Sequence, residues 1–170
     1  MSLESELQSV QRALQQGDLH EAAELLRRAS ANHPNDFDVW LSLASAERRL
    51  GRPEAAREAC QRSIRIAQSA AAYSLLSQCE SDLGDLAAAK EAGRRAVNMD
   101  STAVSSRVFL AHLLLKTGHR EEAVREFRTA AKFDGNRVRA LTSLAHASLI
   151  EGNPEESLGF ALEAQRVAPA

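Results

Sequence analysis

Disulfides, aromatic cores and membrane spans are what this chain is least equipped to build. It holds two cysteines in 170 residues, Cys60 and Cys79. Two are too few for a disulfide framework, so a reducing compartment, the cytoplasm, is the expected setting. Aromatic residues make up 4% of the chain against 44% for all hydrophobic residues, with alanine recurring throughout. That balance argues against a sheet of β-branched and aromatic side chains and predicts an all-α protein. No uninterrupted apolar run approaches the roughly 20 residues that cross a bilayer. The N-terminus, with Glu4, Glu6 and Gln8, lacks a basic-then-apolar signal pattern, so no direct membrane insertion is expected. Neither sign of charge dominates: 21 basic and 23 acidic residues are intermixed, for a net charge of -2. Without a basic stripe to displace phosphate counterions, nucleic acid is not an expected partner. Lysine is confined to Lys90, Lys116 and Lys132, and the arginine- and alanine-rich remainder points to a GC-rich bacterial source. Met1, Ser2 and Leu3 read equally as a vector leader or a native start, and the chain reaches Pro169 and Ala170 at a repeat boundary, which leaves open a piece of a longer polypeptide.

What the chain does have is a period. Gly17, Gly51, Gly84, Gly118 and Gly152 are spaced by 34, 33, 34 and 34 residues, and each stands between two apolar helical stretches. Helix, glycine turn and helix at this period predict a stacked solenoid of antiparallel helix pairs, which works through a long surface rather than a deep pocket. The units run approximately 3–36, 37–69, 70–103, 104–137 and 138–170, one array over 1–170. The shorter unit loses its residue around Ala67 to Ala70. In the first helices a small residue recurs beside large apolar ones, at Ala44, Ser77, Ala111 and Ala145, where it lets the paired helix approach to the near end of the 8–10 Å range. The second helices answer with Ala22, Ala56, Ala89, Ala123 and Ser157, and seven residues later with Ala29, Ser63, Ala96, Ala130 and Ala164. Between these rows lie Leu26, Cys60, Gly93, Phe127 and Ala161, which should plug the space toward the next repeat. Asp18, Asp85 and Asn153 are placed to cap the second helices, Pro53 and Pro154 to open them, and the glycines to make left-handed turns. Glu24 with Arg28, Glu58 with Arg62 and Glu91 with Arg95 are spaced for ion pairs along a solvated helix face.

With these residues in phase, the chain resembles the tetratricopeptide repeat (TPR) family, whose signature is Trp-x-x-Leu-Gly-x-x-Tyr, then Ala-x-x-x-Phe, then Pro. The match is best over Trp40 to Ser63 and Leu110 to Ala130, with Ala123-x-x-x-Phe127 and the repeat-ending Pro34 and Pro169. It departs from the pattern at Gly93 in the plug and at Glu47, Glu80 and Ser148, where the tyrosine usually stands. The resemblance implies a right-handed superhelical solenoid whose first helices line a concave groove and whose second helices form the convex back. It also implies binding of protein segments rather than catalysis. One TPR subclass clamps a terminal carboxylate with lysine, asparagine and arginine; Leu7, Gln11 and Ser42 stand at those places here, and Leu41 and Ser45 in the next window, so that clamp is absent.

In the register of the family, one groove-facing row reads Gln11, Ser45, Gln78, His112 and His146. Beside it lie Leu7, Leu41, Ser74, Val108 and Thr142, and then Leu14, Arg48, Ser81, Leu115 and Leu149, with Arg49, Asp82, Lys116 and Arg139 at the edges. The expected partner-binding groove is therefore Gln11, Ser45, Arg48, Arg49, Gln78, Val108, His112, Leu115, Lys116, Arg139, His146 and Leu149. It suits a peptide or helical segment whose polar groups meet the row and whose apolar side chains meet Leu115 and Leu149. His112 and His146 are two ligands about 10 Å apart at the backbone. Two ligands do not make a zinc site, so no metal is expected. Nor is a cofactor: no glycine-rich phosphate loop, His-Glu-x-x-His pattern or nucleophile with its base is present. His20, His33 and His119 fall at turns or helix ends and should be exposed. Cys60 and Cys79, on helices that should pack together, leave open a disulfide, a thiol pair or plain core filling. The leading expectation is a non-catalytic interaction scaffold. An alternative is a substrate-presenting segment of a larger enzyme, as in bacterial glycosyltransferases, sulfotransferases or hydroxylases. A third is self-association through the uncapped last repeat, where Leu158, Ala161 and Leu162 are expected to be partly uncovered.

Overall fold

The computed structural model describes residues 2–133, 137–150 and 152–168. Met1 and the repeat-ending Pro169 lie outside the described residues, as does Ala170. Among the described residues the chain is all-α, in five helix pairs: α1 (Leu3–Gln15) with α2 (Leu19–Asn32), α3 (Phe37–Arg49) with α4 (Pro53–Ile66), α5 (Ala70–Asp82) with α6 (Leu86–Met99), α7 (Val104–Lys116) with α8 (Arg120–Ala130), and α9 (Arg137–Ile150) with α10 (Pro154–Val167). By its own contacts the chain divides into two compact units, Met1–Ala92 and Gly93–Ala170. The division falls within α6 at Gly93, the plug position, which here has no side chain.

Local chemistry sets the helix ends. The five periodic glycines have φ between +72° and +84°, and among the described residues no other type has positive φ. At Gly118 this left-handed step turns the last carbonyls of α7 toward new donors: the Gly118 N–H donates to Leu115 O at 3.0 Å and the His119 N–H to Leu114 O at 2.8 Å. Asp18 Oδ1 accepts from the Glu21 N–H and Asp85 Oδ1 from the Ala88 N–H, each at 2.9 Å, so both cap as the sequence predicts. Asn153 does not; its side chain makes no cap bond. Pro154 opens α10 there with φ preset and one fewer N–H to satisfy. Ser2, Asp36 and Ser69 cap α1, α3 and α5 in the same manner as the aspartates, accepting from Ser5, Val39 and Ala72.

The small-residue rows are where paired helices meet. Ala22, Ala56, Ala89 and Ala123 have no exposed surface, and neither do Ala29, Ser63, Ala96 and Ala130. Serine enters these contacts only with its hydroxyl bonded across the pair. Ser77 Oγ donates to Ala89 O at 2.7 Å, and Ser157 Oγ to Ala145 O at 2.7 Å. The two bonds are mirror versions of one contact, with the serine on the first helix in one pair and on the second in the other. Leu26, Cys60 and Phe127 fill the plug as expected, whereas Ala161 at the equivalent place in α10 is exposed.

Two of the three expected solvated ion pairs differ from the i,i+4 expectation. Glu24 pairs with Arg27 instead of Arg28, and Arg27 also binds Glu47 of the next repeat. No ion pair joins Glu58 to Arg62 among the described residues. In the second unit the charges bridge successive second helices instead. Arg94 binds Glu122 through Nη2 at 2.9 Å, and Arg128 binds Glu156 at 2.9 Å, both 28 residues apart and at equivalent positions of the repeat.

A Cβ added at Gly118 would meet nothing within 4 Å, so only the backbone penalty of a left-handed β-branched residue opposes substitution. Gly118→Val is expected to lower unfolding free energy by about 1–2 kcal/mol. Chemical denaturation of the two proteins, read by circular dichroism, checks this; an unchanged midpoint would remove the glycine from its structural role.

Candidate functional site

In the first unit, the expected groove residues lie on α1, α3 and α5. Gln11, Ser45 and Arg49 are exposed and Gln78 is half-buried. Arg48 is half-buried and held within the chain, its Nε donating to Asp82 Oδ2 at 2.7 Å, which ties α3 to α5 across one repeat. Leu14 remains 42% exposed on α1.

In the second unit, α7 and α9 bring a cluster together. His112 and His146 are exposed, as are Lys116, Arg139 and Leu149, while Leu115 is half-buried beneath them. Val108 departs from its expected place. It has no exposed surface and belongs to the core around Phe127, Leu141 and Leu144, so it supports the surface from beneath rather than lining it.

His112 is the most constrained member. Its ring stands edge-on to Phe127 with centroids 5.0 Å apart, and its Nε2 lies 3.2 Å from Ser143 Oγ. Partial burial pushes its pKa below the ordinary histidine value, and the positive charges of Arg139 and His146 push in the same direction. All three effects oppose a positive charge at His112. The helices themselves explain the field: neither α7 nor α9 contains an aspartate or glutamate.

The remaining histidines do not join it. His20 and His119 are exposed as expected, but His33 is half-buried, its Nε2 3.4 Å from Glu6 Oε2. Among the described residues no three His, Cys, Asp or Glu side chains gather in a way that could hold a metal ion. No helix among them is long and apolar enough to cross a membrane.

Buried charge is the feature the sequence signalled without disclosing its role. Glu47 and Glu80, at the usual tyrosine place, are 1% and 8% exposed. Glu47 is held by Arg27 and by Arg52, the latter at 3.4 Å, and Glu80 lies 3.8 Å from Arg57. Ser148, in the same row, donates to Glu156 Oε2 at 3.0 Å. Arg107 is buried on α7, where it pairs with Glu126 and donates to Ser101 O at 3.1 Å. A large polar residue facing the adjoining helices was visible as a departure from the repeat; its partners, from a different helix or repeat, were not.

Cys60 and Cys79 are both buried free thiols. They hydrogen-bond to each other, which with burial pushes the Cys60 thiol well above its ordinary pKa. The bond donated by Cys60 draws that of Cys79 down, assisted by Arg48. With neither side chain exposed, they act as core filling between α4 and α5.

These helix pairs, their glycine turns and the surface they present define a helical-repeat binding protein. A family model described as tetratricopeptide repeat matches residues 7–71 and 110–170, and a second model of the same description matches 70–102. The chain therefore belongs to the tetratricopeptide repeat family. Its fold is that of solved TPR proteins. The crystal structure of MamA superimposes with a TM-score of 0.85 at 19% identity, covering 93% of each chain. MamA from Desulfovibrio magneticus RS-1 gives 0.87 at 13% identity, covering 97% of this chain and 94% of that one. YrrB, described as a TPR protein with an unusual peptide-binding site, gives 0.76 at 15% identity, covering 94% of this chain and 83% of that one. The comparison with curated proteins found no match.

Two outcomes test this geometry. The unfolded chain protonates His112 near pH 6.5, and the folded chain only at lower pH. The unfolded state therefore holds more protons between those values, and His112's contribution to stability is intact above about pH 6.5 and lost as the pH falls toward the folded value. Arg139→Ala is expected to raise the pKa of His112 in an NMR titration; an unmoved titration would show that Arg139 exerts no field there. Glu47→Ala leaves Arg27 and Arg52 without their shared acceptor, and because both arginines are partly solvated the expected loss is about 1–3 kcal/mol, measured by denaturation.

Proposed function

We propose that this protein is a non-catalytic interaction scaffold that holds a peptide or helical segment of a protein partner against the first helices of its repeats. TPR membership supports the scaffold. The observation that carries the site is the α7–α9 surface of the second unit, where His112, His146, Lys116 and Arg139 surround Leu115 and Leu149 without an acidic side chain on either helix. The segment it fits carries carboxylates spaced among apolar residues: the carboxylates meet Lys116 and Arg139 and accept hydrogen bonds from the imidazoles, and leucine-like side chains meet Leu115 and Leu149. On the first unit, Gln11, Ser45, Arg49 and Gln78 offer a polar contact surface of their own. The paired free thiols fit a reducing compartment such as the cytoplasm. The intermixed charges elsewhere leave no continuous basic track for nucleic acid.

A fluorescein-labelled peptide of alternating Leu-Glu-Glu-Leu blocks and its Leu-Lys-Lys-Leu counterpart provide the test, by anisotropy at low salt. The acidic peptide is expected to bind at least about tenfold more tightly, to weaken with added salt, and to lose about tenfold in affinity in the His112→Ala, His146→Ala double variant. Equal binding of the two peptides, or an unaffected double variant, would refute the assignment of this surface.

A further inference from the structure

On α8, the side chains facing the following repeat are covered: Phe127 is fully buried and Val124 half-buried. Leu158 and Ala161 take the same places on α10. No described residue covers them, and Leu158 and Leu162 are 60% and 52% exposed. Glu155, Gly159, Leu162 and Arg166 follow one another at spacings of four, three and four, which puts them on one face of the helix with Leu158 at its side. Gly159 has open space where a Cβ would stand, so a second backbone can come close. Glu155 and Arg166 mark the two ends of this apolar stripe, and neither makes an ion pair among the described residues.

Three features select what covers the stripe. A head-to-tail stack of copies would lay it on the outer face of α1. There Ser9 and Arg12 stand where later first helices carry Leu43, Leu110 and Leu144, or Ala46, Leu113 and Ala147. That polar face is a poor match for leucine. Pairing α10 with itself, antiparallel about a two-fold axis near residues 160 and 161, seats Leu162 of each copy over Gly159 of the other. The same operation brings Glu155 to Arg166 of the second copy, and by symmetry does so twice. We propose that α10 is a self-pairing surface, through which two copies of this chain associate as antiparallel helices with Leu158, Gly159 and Leu162 at the centre and a Glu155–Arg166 pair at each end. A 14-residue helix is about 21 Å long and about 10 Å wide. Its footprint falls well below the ~800 Å² per partner of stable complexes, so the dimer is weak and concentration-dependent.

Sedimentation equilibrium of the whole chain up to about 1 mM tests this at low salt, with far-UV circular dichroism to confirm that each variant is folded. The parent protein is expected to dimerise with a dissociation constant of about 0.01–1 mM. Glu155→Arg alone and Arg166→Glu alone each place like charges together at both ends and should weaken the dimer by about tenfold or more. The double variant restores opposite charges and should return to within about threefold of the parent. Leu162→Gln should abolish association. A monomer throughout the range overturns the proposal, as does a dimer indifferent to the single charge reversals or one that the double variant does not rescue.

Discussion

Everything in this molecule depends on how closely two antiparallel helices can approach at one small residue on each. With alanine at the contact the backbones come together and the large side chains on either flank interdigitate; a larger residue would hold them apart and open the core of each repeat. Valine holds the first-helix place in α1, at Val10, and serine enters the contact in two other pairs. Ser77 and Ser157 sit on opposite sides of it in their respective pairs, and each disposes of its hydroxyl by donating to the facing carbonyl at 2.7 Å. A buried hydroxyl without that bond would cost more than the alanine it replaces.

Once the pairs are set, the spaces between them are filled in two different ways. Hydrophobic plugs do it at Leu26, Cys60 and Phe127. Where the family pattern would place a tyrosine, Glu47 and Glu80 carry a carboxylate inward instead and meet arginines at the rim. The exposed second helices are tied by Arg94–Glu122 and Arg128–Glu156, rungs that repeat because the helices do. A charge that looks like solvated surface in one helix is therefore a link between neighbours, and its partner lies about a repeat away in sequence.

The surface on α7 and α9 follows from the same geometry. First helices bury their apolar stripe against their partners and leave a second stripe free, where a repeat can change residues without altering its packing. In the second unit that freedom was used to collect cations and imidazoles over leucine. His112 shows the consequence: Phe127, a core residue, desolvates its ring from below while Arg139 and His146 crowd it with charge. An anionic segment placed there would relieve the crowding, which is the physical basis for reading this surface as a binding site.

Much of the architecture was legible in the chain because it rests on local rules that recur. A glycine at a left-handed turn, aspartate caps at Asp18 and Asp85, and alanine at the helix contacts each leave the same mark every 34 residues, and repetition turns weak signals into a register. That register placed Gln11, Ser45, His112 and His146 on exposed helix faces. It placed Val108 there too, and packing put that side chain in the core, since the row that faces the groove and the row that faces the core are neighbours on the same helix. Asn153 has the right residue type for a cap and does not make one. Pairing between charges needed the tertiary structure: the i,i+4 spacing of Glu24 and Arg28 is a local fact, but it is Arg27 that binds Glu24 while reaching the buried Glu47 of the next repeat. The sequence by itself determined which residues form helices and where they turn, since those depend on neighbours within a few positions. Only the folded chain decided which charges meet, which side chains are covered and what remains open to a partner, because those depend on residues brought together from distant positions.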